Sequence, residues 1–68
     1  MTVQSDLQQA IASCEAMKGS YSMMAQATED NQAKNMFNRM GTEVESHLQF
    51  LNTRLDYLNQ NNTLNQQQ

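Results

Sequence analysis

Two stretches of the sequence carry apolar residues at spacings of three and four, and no proline interrupts them. Such spacing places the apolar side chains on one face of an α-helix. Glycine occurs only twice, so little else opposes long helices. The pattern predicts an all-α chain of two helices. The first stripe is Val3, Leu7, Ala10, Ile11, Cys14, Met17, Tyr21, Met24 and Ala25, and the second is Ala33, Phe37, Met40, Gly41, Val44, Leu48, Leu51, Leu55 and Leu58.

One polar segment, TEDNQ at residues 28–32, separates the stripes and predicts the turn. Asp30 or Asn31 suits the N-cap of the second helix, and Thr2 or Ser5 that of the first. The end of the chain is rich in Asn and Gln, a composition typical of solvated tails. The predicted domain is a helical hairpin over 1–60, with a helix over about 3–28, a turn over about 29–31, a second helix over about 32–60, and a flexible tail over 61–68.

Two helices joined by so short a turn must run antiparallel. Because both helices rise equally per residue, the numbers of residues that face each other sum to about 59. Gly41 is expected to leave room for the side chain of Tyr21 or Met17, or to let the two helix backbones approach closely. The predicted neighbours are Leu7 with Leu51, Ile11 with Leu48, Cys14 with Val44 and His47, and Met17 and Tyr21 with Gly41 and Phe37.

A chain of 68 residues is short for an independent core and usually needs a disulfide, a metal or another subunit. Its single cysteine cannot form an internal disulfide. Met36, Phe50 and Tyr57 lie beside the main stripe and widen the apolar face beyond what one hairpin covers. We therefore expect two hairpins to pack as a four-helix bundle. The predicted interface residues are Met36, Met40, Val44, His47, Phe50, Leu51 and Tyr57.

The stretch TEVESHLQFL, residues 42–51, contains the chain's single histidine. Glu43 and His47 share one helix face, and the hairpin register brings Cys14 to the same height, so these three are candidate zinc ligands. The Glu-x-x-His motif of carboxylate bundles is broken, because Val44 stands three residues before the histidine. No third group orients a Cys–His nucleophile pair. The sequence favours a buried cysteine and a histidine at the border of the core, with no catalytic residue, metal or cofactor.

The formal net charge of -3 and the scattered basic residues argue against binding to nucleic acid. The apolar runs are far shorter than the roughly 20 residues that span a bilayer, so membrane insertion is not expected. The chain's start lacks a basic segment followed by an apolar one, so we do not expect a secretory signal. These features predict a cytoplasmic protein.

Three segments resemble the DUF1657 family of short helical proteins: MTVQSDLQQAIASCEAMKGSY at the start, ATEDNQAKNMF around the turn, and LNTRLDYLNQ near the end. Members begin with a similar Met-Thr-Val. The family's Ala-Lys-x-Met/Leu-Phe segment is matched by Ala33, Lys34, Met36 and Phe37, and its Leu-x-x-Arg-Leu/Val-x-Tyr segment by Leu51, Arg54, Leu55 and Tyr57.

The resemblance implies an origin in endospore-forming Firmicutes, where the family's genes often lie beside spore-membrane genes or are fused to a membrane domain. No activity or catalytic residue is established for the family, so none is carried over. We therefore expect a non-enzymatic, self-assembling structural or interaction module linked to sporulation, located in the cytoplasm, including that of the developing spore. A second copy is the expected partner, and a spore-membrane protein is a further candidate. The alternatives are a small metal-binding bundle that uses Cys14, Glu43 and His47, and the subunit of an open-ended fibre or array.

Overall fold

The computed structural model describes residues 2–65, and the side chains of residues 2–61. This part of the chain forms two α-helices, α1 (Val3–Ala27) and α2 (Asn31–Asn65). The helices pack along each other, so the molecule is a rod with extents of 57 × 18 × 12 Å. The prediction of an all-α helical hairpin is confirmed, and the described residues contain no strand.

Side-chain caps define where the helices begin and how the turn is held. The Thr2 hydroxyl accepts a hydrogen bond from the Ser5 N–H at 3.0 Å, and an Asp30 carboxylate oxygen accepts one from the Ala33 N–H at 3.1 Å. Within the turn, the Thr28 hydroxyl accepts from the Asp30 N–H at 3.2 Å. These bonds satisfy backbone donors that a helix start leaves without partners. Of the two caps predicted for each helix, Thr2 and Asp30 fill the positions.

The second helix is longer than the sequence pattern indicated. It continues to Asn65, whereas the predicted helix ended at about residue 60 and the predicted tail began at residue 61. Asparagine is only moderately unfavourable in a helix, and each added residue gains a hydrogen bond without a new nucleation step. The side-chain amide of Asn61 also donates to the Tyr57 carbonyl at 2.9 Å. Residues 66–68 of the predicted tail lie outside the described part of the chain.

The seam between the helices holds the buried apolar residues. Ala25 of α1 and Val44 and Leu48 of α2 each expose 6% of their surface or less. Near the turn, the rings of Tyr21 and Phe37 stack with centroids 6.3 Å apart. Their residue numbers sum to 58, which agrees with the predicted antiparallel register.

This seam is a thin core for a folded protein. Those three residues are the only buried ones among the side chains that the structure describes, and none of them is fully enclosed. The radius of gyration is 16.1 Å, against about 11 Å for a compact domain of this length. The accessible surface is 5294 Å², roughly 900 Å² more than expected for a compact monomer of this mass. A lone hairpin therefore leaves much of its apolar surface in water.

The expectation that Gly41 accommodates a large side chain or a close approach of the helix backbones is wrong. A Cβ atom built at this residue meets no atom within 4 Å, so the missing side chain does not make room for Tyr21 or Met17. The reason is that Gly41 lies at the edge of the seam, where it lines an open groove. Gly19 has equally free surroundings.

Candidate functional site: an exposed apolar face

One side of the hairpin carries polar groups and an ion pair between the helices. The Lys18 ammonium group contacts a carboxylate oxygen of Glu45, and both side chains remain partly exposed. This side, which we call the Lys18 face, holds a groove of about 290 Å³ between the helices. The groove is lined by Lys18, Ser22, Phe37, Asn38, Gly41, Thr42 and Glu45.

The opposite side of the hairpin is apolar and uncovered. Helical periodicity places Met17 and Met24 on the flank of α1 away from Lys18, and Met36, Phe50 and Tyr57 on the flank of α2 away from Glu45. Because the Lys18 face joins one flank of each helix, the two remaining flanks share the other side. We call this surface the open face. Its exposed fractions are 43% at Met17, 47% at Met24, 56% at Met36, 73% at Phe50 and 55% at Tyr57.

The open face follows a heptad-like spacing along α2. Met36, Phe50 and Tyr57 are separated by multiples of seven residues, so they form one row along the helix, in which the exposed Glu43 stands between Met36 and Phe50. The Arg54 guanidinium lies 5.1 Å from the centroid of the Tyr57 ring, within the range of a cation–π contact. Two shallow surface grooves flank the row. One of about 540 Å³ is lined by Gln49, Phe50, Thr53, Arg54 and Tyr57, and one of about 330 Å³ by Gln32, Asn35, Met36, Arg39 and Met40.

The predicted interface residues divide into two groups. Val44 is buried in the seam and Leu51 is half-buried there, so both hold the hairpin itself together. The other residues border the open face, with Met40 half-buried and the rest exposed. That second group is Met36, Met40, His47, Phe50 and Tyr57.

The three candidate zinc ligands do not form a site within one chain. Cys14 is half-buried with a free thiol, whereas Glu43 and His47 are exposed. In the described residues, no group of three or more His, Cys, Asp or Glu side chains is placed to hold a metal ion. His47 makes no hydrogen bond or ion pair within that part of the chain, neither with Glu43 nor with the backbone.

One feature of the surface was not anticipated from the sequence. It is the ion pair between Lys18 and Glu45, although the antiparallel register alone places these residues within about one turn of each other. Met23 lies off the apolar stripe of α1, as its position in the sequence indicated, and it exposes 70% of its surface on the outer side of the helix.

The fold and the open face together define a class: a helical hairpin with a thin core and one unpartnered apolar side. The family model for DUF1657, described as a protein of unknown function, matches residues 7–55. The chain therefore belongs to the DUF1657 family, as the sequence motifs indicated. Comparison with curated proteins and with solved structures returns no match. Among the described residues, neither helix is apolar enough over sufficient length to span a bilayer.

Proposed function

We propose that the protein is a non-enzymatic structural module that self-associates through its open face and forms a four-helix bundle from two hairpins. The observation that supports this proposal is the exposure of Phe50, at 73%, within a row of large apolar side chains. Clusters of large exposed apolar side chains mark interaction sites in soluble proteins.

The thin core supports the same proposal. Three buried residues contribute too little apolar burial to offset the conformational entropy that two long helices lose on folding. A second hairpin on the open face would add burial on both chains. An interface of ordinary size removes about 800 Å² per partner, close to the roughly 900 Å² by which this chain exceeds a compact monomer.

The decisive variant places a charge at the centre of the open face. We expect Phe50→Asp to abolish association and to unfold most of the chain, because a buried unpaired carboxylate is costly and the hairpin alone is marginal. Native mass spectrometry and circular dichroism over a range of concentrations measure both effects. Asn38→Asp is the matched control, since this residue of α2 is exposed and lines the groove of the Lys18 face. A Phe50→Asp chain that stays folded as a monomer would refute the bundle.

The same mass spectra address the two alternative functions. If the protein binds one zinc ion per chain and His47→Ala loses it, the proposal of a structural module is wrong. The protein would then be a metal-binding bundle that uses Cys14, Glu43 and His47. Unbounded oligomers, seen as fibres by electron microscopy, would indicate heterologous contacts that do not close. A metal-free dimer or tetramer is the result we expect.

The biological setting of the proposal comes from the family. We infer a role linked to sporulation, with a spore-membrane protein as a candidate partner besides a second copy. The inference depends on the family membership over residues 7–55 together with the setting that the resemblance implied. A fluorescent fusion followed through sporulation tests it. Enrichment at the developing spore is expected, and uniform fluorescence throughout both compartments would contradict the proposed link.

A further inference from the structure

The two helices contribute side chains of different size to the open face. The α2 half carries the large residues Met36, Phe50 and Tyr57, while α1 has small residues on this flank before and between its two methionines. Large side chains interdigitate best with small ones across an interface, because protein interiors pack without voids. The best cover for the α2 half is therefore the α1 half of another copy. The small residues of α1 on this flank are Ala10, Ser13 and Ser20.

We propose that two hairpins pair with their turns at the same end, so that α2 of each copy lies on α1 of the other. This arrangement rests on the proposed self-association and specifies its geometry. Its two-fold axis runs parallel to the helices. Every pair of adjacent helices is then antiparallel, within each hairpin and between the hairpins, as in bundles with favourable helix packing.

The direction of the two-fold axis also determines which residues of the two copies face each other. Rotation about an axis parallel to the helices leaves every residue at its own height along the bundle. Residues of the two copies therefore face each other in the register of the hairpin itself. The numbers of the contacting pairs Tyr21–Phe37 and Lys18–Glu45 sum to 58 and 63, so facing residues have numbers that sum to about 60. Phe50 then faces Ala10 of the second copy, and Met36 faces Met24. The most exposed side chain of the open face meets one of its smallest.

The charges on the open face favour the same arrangement. The shared register places Arg54 opposite Asp6 of the second copy, and the symmetry makes this pair twice. Within the described part of one chain, neither residue forms an ion pair, although Arg54 lies over the Tyr57 ring. Opposite charges at an interface contribute mainly by selecting one orientation.

The competing arrangement has the turns at opposite ends, with α2 on α2 and α1 on α1. With the hairpins fully overlapped, facing residues of α2 then have numbers that sum to about 90, by equal helical rise. Arg54 would face Met36, and Asp6 would face Met24, so two charges of each chain would be covered by methionines. In the proposed arrangement one charge of each chain, that of Glu43, faces a methionine. Desolvation of charges without partners opposes this arrangement.

One repulsion acts against the proposal, and it is small. The exposed turn residues Glu29 and Asp30 of the two copies come to the same end of the bundle. Lys34 lies one turn away on each chain. Solvent and salt screen charges at such exposed positions, with a screening length of about 8 Å at physiological ionic strength. Packing along the length of the bundle outweighs it.

Distances between spin labels on the two copies distinguish the arrangements. Single cysteines at Gln8, Ala12 and Gln26, each in a Cys14→Ser background, place labels on the exposed outer side of α1. With the turns at the same end, every residue lies level with its copy. The three label-to-label distances should agree within about 5 Å. With the turns at opposite ends and the hairpins fully overlapped, the two copies of a label are offset along the bundle by about 21 Å at residue 8, about 9 Å at residue 12 and about 33 Å at residue 26. The three label-to-label distances should then spread by more than about 10 Å.

A charge-exchange cycle tests the register independently. Asp6→Arg and Arg54→Asp should each weaken the dimer about fivefold, and the double variant should restore the affinity. Glu15→Arg, on the same helix but off the open face, is the control that should leave the dissociation constant unchanged.

The outcomes separate the arrangement from the proposed function. A dimer with widely spread distances and no restoration in the double variant overturns the arrangement alone. A chain that stays monomeric at 100-fold dilution and at the highest concentration used for labelling overturns the arrangement and the self-association together. Uniform distances with a restored double variant support the inference.

Discussion

The two sides of the hairpin differ in the polarity of the side chains that they expose to solvent. The Lys18 face has an ion pair across the seam and a groove bordered by polar side chains. The open face has five large apolar side chains, each exposed by at least 43%, and its charged residues form no ion pair within the described part of the chain. The difference shows that the Lys18 face can remain in contact with water in any assembly. The apolar side chains of the open face are stabilised when a second chain buries them, and this asymmetry is the physical basis of the proposed bundle.

The seam between the two faces should be the most sensitive part of the molecule. We expect Leu48→Ala to lower the free energy of unfolding by about 2–5 kcal/mol, because it leaves a cavity beside the few buried residues. Chemical denaturation followed by circular dichroism measures this loss. Gln49→Ala, one residue away and exposed, is the matched control. Equal effects of the two substitutions would contradict the seam as the core.

On the open face, a methionine should matter through association. We expect Met36→Gln to weaken the dimer about tenfold, equivalent to about 1.4 kcal/mol, because a polar amide replaces buried apolar surface. Met23→Gln is a close control, since Met23 is more exposed than Met36 and lies on the outer side of α1. Sedimentation equilibrium gives both dissociation constants. Matching losses at the two sites would remove the distinction between the open face and ordinary exposed surface.

On the Lys18 face, a glycine offers room for stabilisation. We expect Gly41→Ala to raise the free energy of unfolding by about 1 kcal/mol, because alanine favours the helix and its Cβ meets no neighbouring atom. Gly19→Ala should behave in the same way for the same reason. Thermal denaturation measures the gain. If Gly41→Ala instead disrupts the dimer, a partner approaches through the Lys18 face, and the roles assigned to the two faces are reversed.

The smallest effect is expected at the ion pair. Glu45→Gln should lower the free energy of unfolding by about 0.5 kcal/mol, because exposed pairs contribute little and salt screens them. The loss should shrink further in 1 M salt. Denaturation at low and high salt measures it, with Glu15→Gln as the control on the other helix. A loss above about 2 kcal/mol would show that this ion pair contributes more to the stability of the hairpin than its exposure indicates.

The sequence predicted the helices, the turn and the register because each depends on local chemistry. Apolar periodicity indicated both helices, and Thr2 and Asp30 were among the predicted caps. The antiparallel register follows from a short turn and equal helical rises, and the stacked rings of Tyr21 and Phe37 agree with it. The end of α2 was missed, because an Asn-rich segment resembles a tail in composition although it can extend an existing helix.

Only tertiary structure decided which residues are left for a partner. A periodic pattern describes the faces of each helix separately, and it does not state how deeply a given residue enters the seam. Val44 and Leu51 were predicted in the same interface set as Phe50 and Tyr57, yet packing against α1 covers the first two and leaves the others in water. Likewise, only the packed helices show that Gly41 lies beside a groove. Local sequence specifies helices and caps because those interactions span a few residues, whereas exposure depends on contacts between residues far apart in the chain.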